Sequence, residues 1–122
     1  MKSITILEAQ AESHGCALEK GWWDDFKEDG GISHRLVVAS IPEKIALIHS
    51  EAGEALEDYR TGKLETVINP LGKPEGLPTE LADIVIRVMD LAGALGIDLE
   101  AEVVNKMKFN RTRSHRHGGK RC

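Results

Sequence analysis

Apolar residues recur at three- and four-residue intervals through four stretches of the chain, which predicts helices rather than strands. In the first, residues 3–20, Ile4, Leu7, Ala11 and Leu18 gather near one face and Glu8, Glu12 and Glu19 lie mostly elsewhere, with Gly21 as the stop. The second runs from about Pro42 to Arg60 with the stripe Ile45, Ile48, Ala52, Ala55, Leu56 and Tyr59. Ser40 with Glu43 forms a candidate capping box ahead of it, Pro42 sits in its first turn, and Thr61-Gly62 closes it. Pro78 opens a third helix carrying Leu81, Ile84, Val85, Val88, Leu91 and Ala92, which Gly96 ends. Asp98 then caps a fourth, residues 99–113, with Val103, Val104 and Met107 inward. Between these lie an aromatic and glycine-rich stretch, residues 22–31, read as a loop or short irregular helix, and an extended linker from Thr61 to Leu77, read as a lid or a long crossover.

The expected fold is therefore all-α, a protomer resembling a four-helix bundle. Composition agrees: aromatic residues make up only 4% of the chain, against a sheet that would favour them. The 122 residues fit one domain, a helical body over about 3–113 and a basic tail over about 114–122. One protomer of this size buries a modest core, so oligomerisation is expected. No apolar run approaches the roughly 20 residues of a membrane span, and no basic segment precedes an apolar one at the N-terminus, so the expected location is the cytoplasm, away from membranes. Cys16 and Cys122 lie near opposite ends and predict no structural disulfide there.

Charge is polarised along the chain. Every acidic residue precedes Val103, whereas Lys106, Lys108, Arg111, Arg113, Arg116, Lys120 and Arg121 follow it. An acidic body that attracts divalent cations beside a basic segment that grips anions suits a metal-nucleotide substrate; the other reading is a solvated basic tail or a nucleic-acid arm.

Two acidic motifs interrupt the apolar pattern. Glu51 with Glu54, and Glu80 with Asp83, are each three apart and share a helix face, so each pair projects as a two-pronged clamp. Bringing the two helices together converges four carboxylates, whose mutual repulsion is relieved by a cation. All-oxygen ligation points to Mg2+, with Mn2+ as the other candidate, and to phosphate chemistry. A ferritin-like iron centre needs E-x-x-H, and none of the five histidines has Glu three residues before it. The spacings of His14-Gly15-Cys16 and of His115-Arg116-His117 with Cys122 match no common zinc module, and both runs read as incidental.

Three further groups are candidates. Trp22 and Trp23 are both core candidates and both able to stack on a nucleobase. Lys106, Asn110 and Arg113 lie along one side of the last helix, either as a solvated face or as contacts to a polyphosphate. Arg87 and Asp90 follow the second acidic motif on its own face, as a pair that orients the ligands or as surface charges.

The order of Glu51-Ala-Gly-Glu54-Ala-Leu-Glu-Asp-Tyr-Arg60, then Glu80-Leu-Ala-Asp83-Ile-Val-Ile-Arg87-Val-Met-Asp90, then Asn105-Lys106-Met-Lys-Phe-Asn110-Arg-Thr-Arg113 running into His117-Gly-Gly-Lys120, resembles the MazG-type nucleoside triphosphate pyrophosphohydrolases of the all-α NTP pyrophosphatase superfamily. The resemblance spans residues 42–120. It implies hydrolysis of an NTP or dNTP between the α- and β-phosphates in nucleotide-pool housecleaning, Mg2+ held by Glu51, Glu54, Glu80 and Asp83, Glu51 or Glu54 as the base, Lys106 and Asn110 on the substrate side, and a homodimer or homotetramer with sites near the subunit contacts. The residues before Ser40 carry little of the pattern. The alternatives are a related hydrolase acting on dUTP or a phosphoribosyl nucleotide, and a non-catalytic nucleotide- or RNA-binding helical module; nucleic acid is the disfavoured partner.

Overall fold

A computed structural model describes residues 3–114; the expectations placed on the basic tail, on Lys120, on His115 and His117 and on Cys122 lie outside them. The described chain is mostly helical: α1 (Ile6–Glu19), α2 (His34–Ala39), α3 (Ile41–Arg60), α4 (Leu77–Leu95) and α5 (Leu99–Thr112). A single 3-10 turn, Asp24–Phe26, and two minimal antiparallel hairpins complete it. β1 (Lys27–Glu28) pairs with β2 (Gly31–Ile32), and β3 (Val67–Ile68) pairs with β4 (Pro74–Glu75) inside the linker. No helix among the described residues is long and apolar enough to cross a membrane.

Local chemistry sets the helix ends. Thr5 caps α1 through a reciprocal capping box with Glu8, Ser33 caps α2, and Asp98 accepts the Ala101 N–H at 2.9 Å to cap α5, as its position predicts. Ser40 does not form the expected box with Glu43. It is buried where α2 runs into α3, and its hydroxyl donates back to the Val37 carbonyl at 2.6 Å. The apolar pattern gave no sign of α2, a helix too short to show a period.

Helix α4 is the centre of the fold, packing along α3 on one side and α1 on the other, with α5 folded back against α1. Two glycines permit this. At Gly93 a Cβ would fall 2.7 Å from the His14 Cβ, so the missing side chain lets α1 close onto α4. Gly76 leads into α4 at φ +115, where a Cβ would stand 2.1 Å from the Glu65 carbonyl oxygen, so the linker can lie flat against the helix start only with glycine there.

The core is small: Ala17, Trp23 and Val37 are buried, with Phe26, Leu91, Ala94 and Leu95 packed around them. The inward face of α1 is therefore Gln10, His14 and Ala17, not the Ile4, Leu7 and Leu18 stripe, which is exposed. Gln10 is buried because both ends of its amide are used: its Nε2 donates to the Ile97 carbonyl and its Oε1 accepts from the Leu99 N–H, clamping α1 to the α4–α5 turn. The stripe expected on α3 is corrected likewise, with Ala55 buried but Ile45, Leu56 and Tyr59 exposed. On α5, Val104 and Met107 face outward instead of inward.

Candidate metal centre and its adjoining cavity

Two facing polar stripes build the site. Lys44, Leu47, Glu51, Glu54 and Asp58 recur at three and four residues along α3, and Glu80, Asp83, Arg87 and Asp90 do the same along α4. The helices run antiparallel with Glu51 opposite Arg87, whose Nε donates to Glu51 Oε1 at 2.8 Å. From that fixed point, Glu54 meets Glu80 on one side, while on the other Lys44 and Leu47 share a cavity with Asp90 and Leu91.

Glu51, Glu54 and Glu80 each offer a carboxylate oxygen within 4.8 Å of the other two. Glu51 and Glu80 are half-buried and Glu54 is exposed. Asp83 does not join that tight set, but burial and the charge of Glu51 hold its carboxyl above the ordinary value, partly offset by Arg87 and Lys73. Burial, then the charge of Glu54 and a hydrogen bond with it, then Asp83 and Glu51, push the Glu80 carboxyl up to about 7. Burial pushes Glu51 up as well, yet the Arg87 hydrogen bond and charge, with hydrogen bonds to Glu54 and Glu80, prevail and hold it below its ordinary value.

One oxygen of this cluster is unsatisfied. Glu80 Oε2 is closed off from solvent and has no hydrogen-bond partner among the described residues. A buried acceptor among like charges costs free energy unless a cation or proton meets it. The donor set is all oxygen, and these residues fit a hard divalent cation such as Mg2+.

Beyond Arg87 lies a cavity of about 250 Å³, lined by Trp22, Lys44, Leu47, Arg87, Asp90 and Leu91. The two tryptophans divide here. Trp23 is 1% exposed and belongs to the core, edge-on to His14 and Phe26, with the Lys44 Nζ 4.4 Å from the centre of its ring. Trp22 is 60% exposed and forms a wall of the cavity. A larger cavity of about 580 Å³ lies in the linker, lined by Gly62, Lys63, Leu64, Glu65, Val67, Glu75 and Gly76, and none of the four motif acids lines it.

Arg87 and Asp90, expected as a pair, take different partners. Arg87 holds Glu51, whereas Asp90 Oδ1 accepts both the Trp23 indole N–H at 2.9 Å and the His14 Nδ1–H at 2.8 Å. Lys106 and Asn110 lie on α5, whereas Arg113, expected on the same helix, is its extended C-cap; none of the three makes an ion pair or hydrogen bond with the four acids among the described residues. Lys106 and Arg113 instead lie over the Phe109 ring, and the Asn110 Oδ1 is buried without a partner among the described residues.

Sequence reasoning missed the polar site residues Lys44, His14 and Asp58, the last four residues after Glu54 and with a buried Oδ2 that has no partner among the described residues. Lys44 stands seven residues before Glu51, two turns along the same face, and that spacing was a usable signal. His14 gave none, because its partner Asp90 is 76 residues away. Comparison with family models, with curated proteins and with solved structures finds no match to this chain.

Proposed function

We propose that the chain is a Mg2+-dependent nucleoside triphosphate pyrophosphohydrolase, cutting an NTP or dNTP between the α- and β-phosphates to a monophosphate and pyrophosphate. The observation that carries this reading is the convergence of Glu51, Glu54 and Glu80 beside Asp83, with a buried Glu80 oxygen that has no partner among the described residues. The ordered E-x-x-E, E-x-x-D and K-M-x-x-N motifs, which resemble the MazG-type enzymes, supply the reaction.

A bound Mg2+ supplies charge neutralisation of the triphosphate and a more acidic water. The chain's own residues do the rest. Arg87 keeps Glu51 ionised and fixed, a cost met before substrate arrives. Glu54 is the exposed member of the cluster and has no cation paired to it among the described residues, so it is the base that takes the proton of the attacking water. Trp22, rather than Trp23, offers a ring face to the base.

The active form is a homo-oligomer in which protomers complete a helical bundle. Its support is the apolar surface left bare on α3 and α4, including Ile45, Leu56, Tyr59, Leu81 and Val85. In such an assembly a second copy brings Lys106, Asn110 and Arg113 to the phosphates.

Product analysis tests the chemistry. Monophosphate and pyrophosphate formed in Mg2+ support it, whereas diphosphate and orthophosphate, or no product from any nucleotide, refute it.

A further inference from the structure

The cavity beside the acidic cluster is chemically lopsided. Leu47 and Leu91 form its apolar part, Trp22 supplies an aromatic wall, Lys44 and Arg87 are its cations, and Asp90 is the carboxylate among its lining residues. Asp90 is held tightly, with its side chain 15% exposed and its Oδ1 receiving hydrogen bonds from Trp23 and His14. No described residue donates to its Oδ2. This carboxylate thus keeps one acceptor uncommitted, on a side chain that can neither swing away nor exchange its oxygens without giving up two hydrogen bonds.

We propose that Asp90 selects the nucleobase by accepting a hydrogen bond from an exocyclic amino group, so that cytosine and adenine nucleotides are preferred over their oxo counterparts, uracil and hypoxanthine. This rests on the pyrophosphohydrolase reading and assigns the base end of the same site. About 250 Å³ is below the range typical of a pocket that encloses a whole drug-sized ligand, which suits a single base with its phosphates outside. Asp83 and Asp90 are seven residues apart on α4, about 10 Å along the helix, which is of the order of a nucleoside's length. A base against Trp22 therefore leaves its phosphates at the acidic cluster. Carboxylates recognise the cytosine amine in the same way when proteins read nucleic acids. A uracil O4 placed at that point sets an acceptor against an acceptor, and neither oxygen is satisfied.

The test measures binding apart from turnover. Non-cleavable α,β-methylene analogues of CTP, UTP, ATP and ITP, in ribo and deoxyribo forms, are titrated in Mg2+ onto wild type and Asp90→Asn, following tryptophan fluorescence. In the variant the amide oxygen can keep the His14 and Trp23 hydrogen bonds while its NH2 replaces Oδ2, reversing the polarity offered to the base. Wild type is expected to bind the amino-bearing member of each pair about tenfold tighter or more, and Asp90→Asn to erase or invert that order. Equal binding within the wild-type pairs, or an unchanged preference in a folded variant, overturns the proposal. Should the variant not fold, the wild-type pairs alone decide. Amino-selective binding without cleavage of the parent nucleotides upholds the base assignment and refutes the hydrolase; cleavage without selectivity does the reverse; and no binding of any analogue refutes both.

Discussion

Replacing Glu80 by Gln should stabilise the metal-free protein, and by an amount that depends on pH in a defined direction. Folding raises the Glu80 carboxyl from 4.5 to about 7, through burial first and then its repulsion from Glu54, Asp83 and Glu51. The native state therefore binds this proton more tightly than the unfolded chain does. Wild-type stability is greatest below the unfolded value and falls as pH rises from about 4.5 through about 7. At about 1.4 kcal/mol per pH unit the ceiling on that loss is about 3 kcal/mol, and screening of this partly exposed group reduces it to about 1 kcal/mol. Thermal unfolding of wild type and Glu80→Gln in EDTA reads this as a melting temperature roughly 3–6 °C higher for the variant at pH 8, with the gap closing near pH 4.5. Saturating Mg2+ should reverse the order by stabilising wild type more. A variant less stable than wild type at pH 8 in EDTA, or a gap that ignores pH, would refute the reasoning.

Arg87→Met removes the cation that holds Glu51 below its ordinary value, so the acid limb of the kcat/KM profile should move to higher pH than in wild type. The tryptophans should separate cleanly: Trp23→Ala costs about 3–5 kcal/mol of stability in chemical denaturation. Trp22→Ala leaves stability within about 0.5 kcal/mol and weakens nucleotide binding by about 1–3 kcal/mol. Light scattering should give a dimer or tetramer for wild type and a smaller species for Leu56→Asp with Leu81→Asp, which charge the exposed faces of α3 and α4.

What the sequence made legible depended on the range of the interaction. The long helices and their stops follow from local rules that Pro42, Pro78, Gly96 and Asp98 obey, and three-residue spacing on α3 and α4 was enough to bring Glu51, Glu54 and Glu80 together, though not Asp83. Which face of each helix turns inward was not legible. Apolarity assigns Leu7 and Leu18 to the core, yet Gln10 and His14 displace them because partners 76 to 89 residues distant satisfy their polar atoms. The apolar faces of α3 and α5 were detected correctly as apolar, but one chain leaves much of them uncovered. Neighbouring tryptophans of equal standing in the sequence split into a core residue and a cavity wall, a choice made by the single Trp23–Asp90 hydrogen bond and the packing of Phe26.

Pyrophosphate release from a panel of NTPs and dNTPs, in Mg2+ and in EDTA, with wild type and Glu54→Gln, tests the central claim most directly. The account predicts metal-dependent formation of monophosphate and pyrophosphate that EDTA abolishes and the substitution reduces by at least about a hundredfold. Turnover that persists in EDTA or in Glu54→Gln, or its absence with every nucleotide, would contradict it.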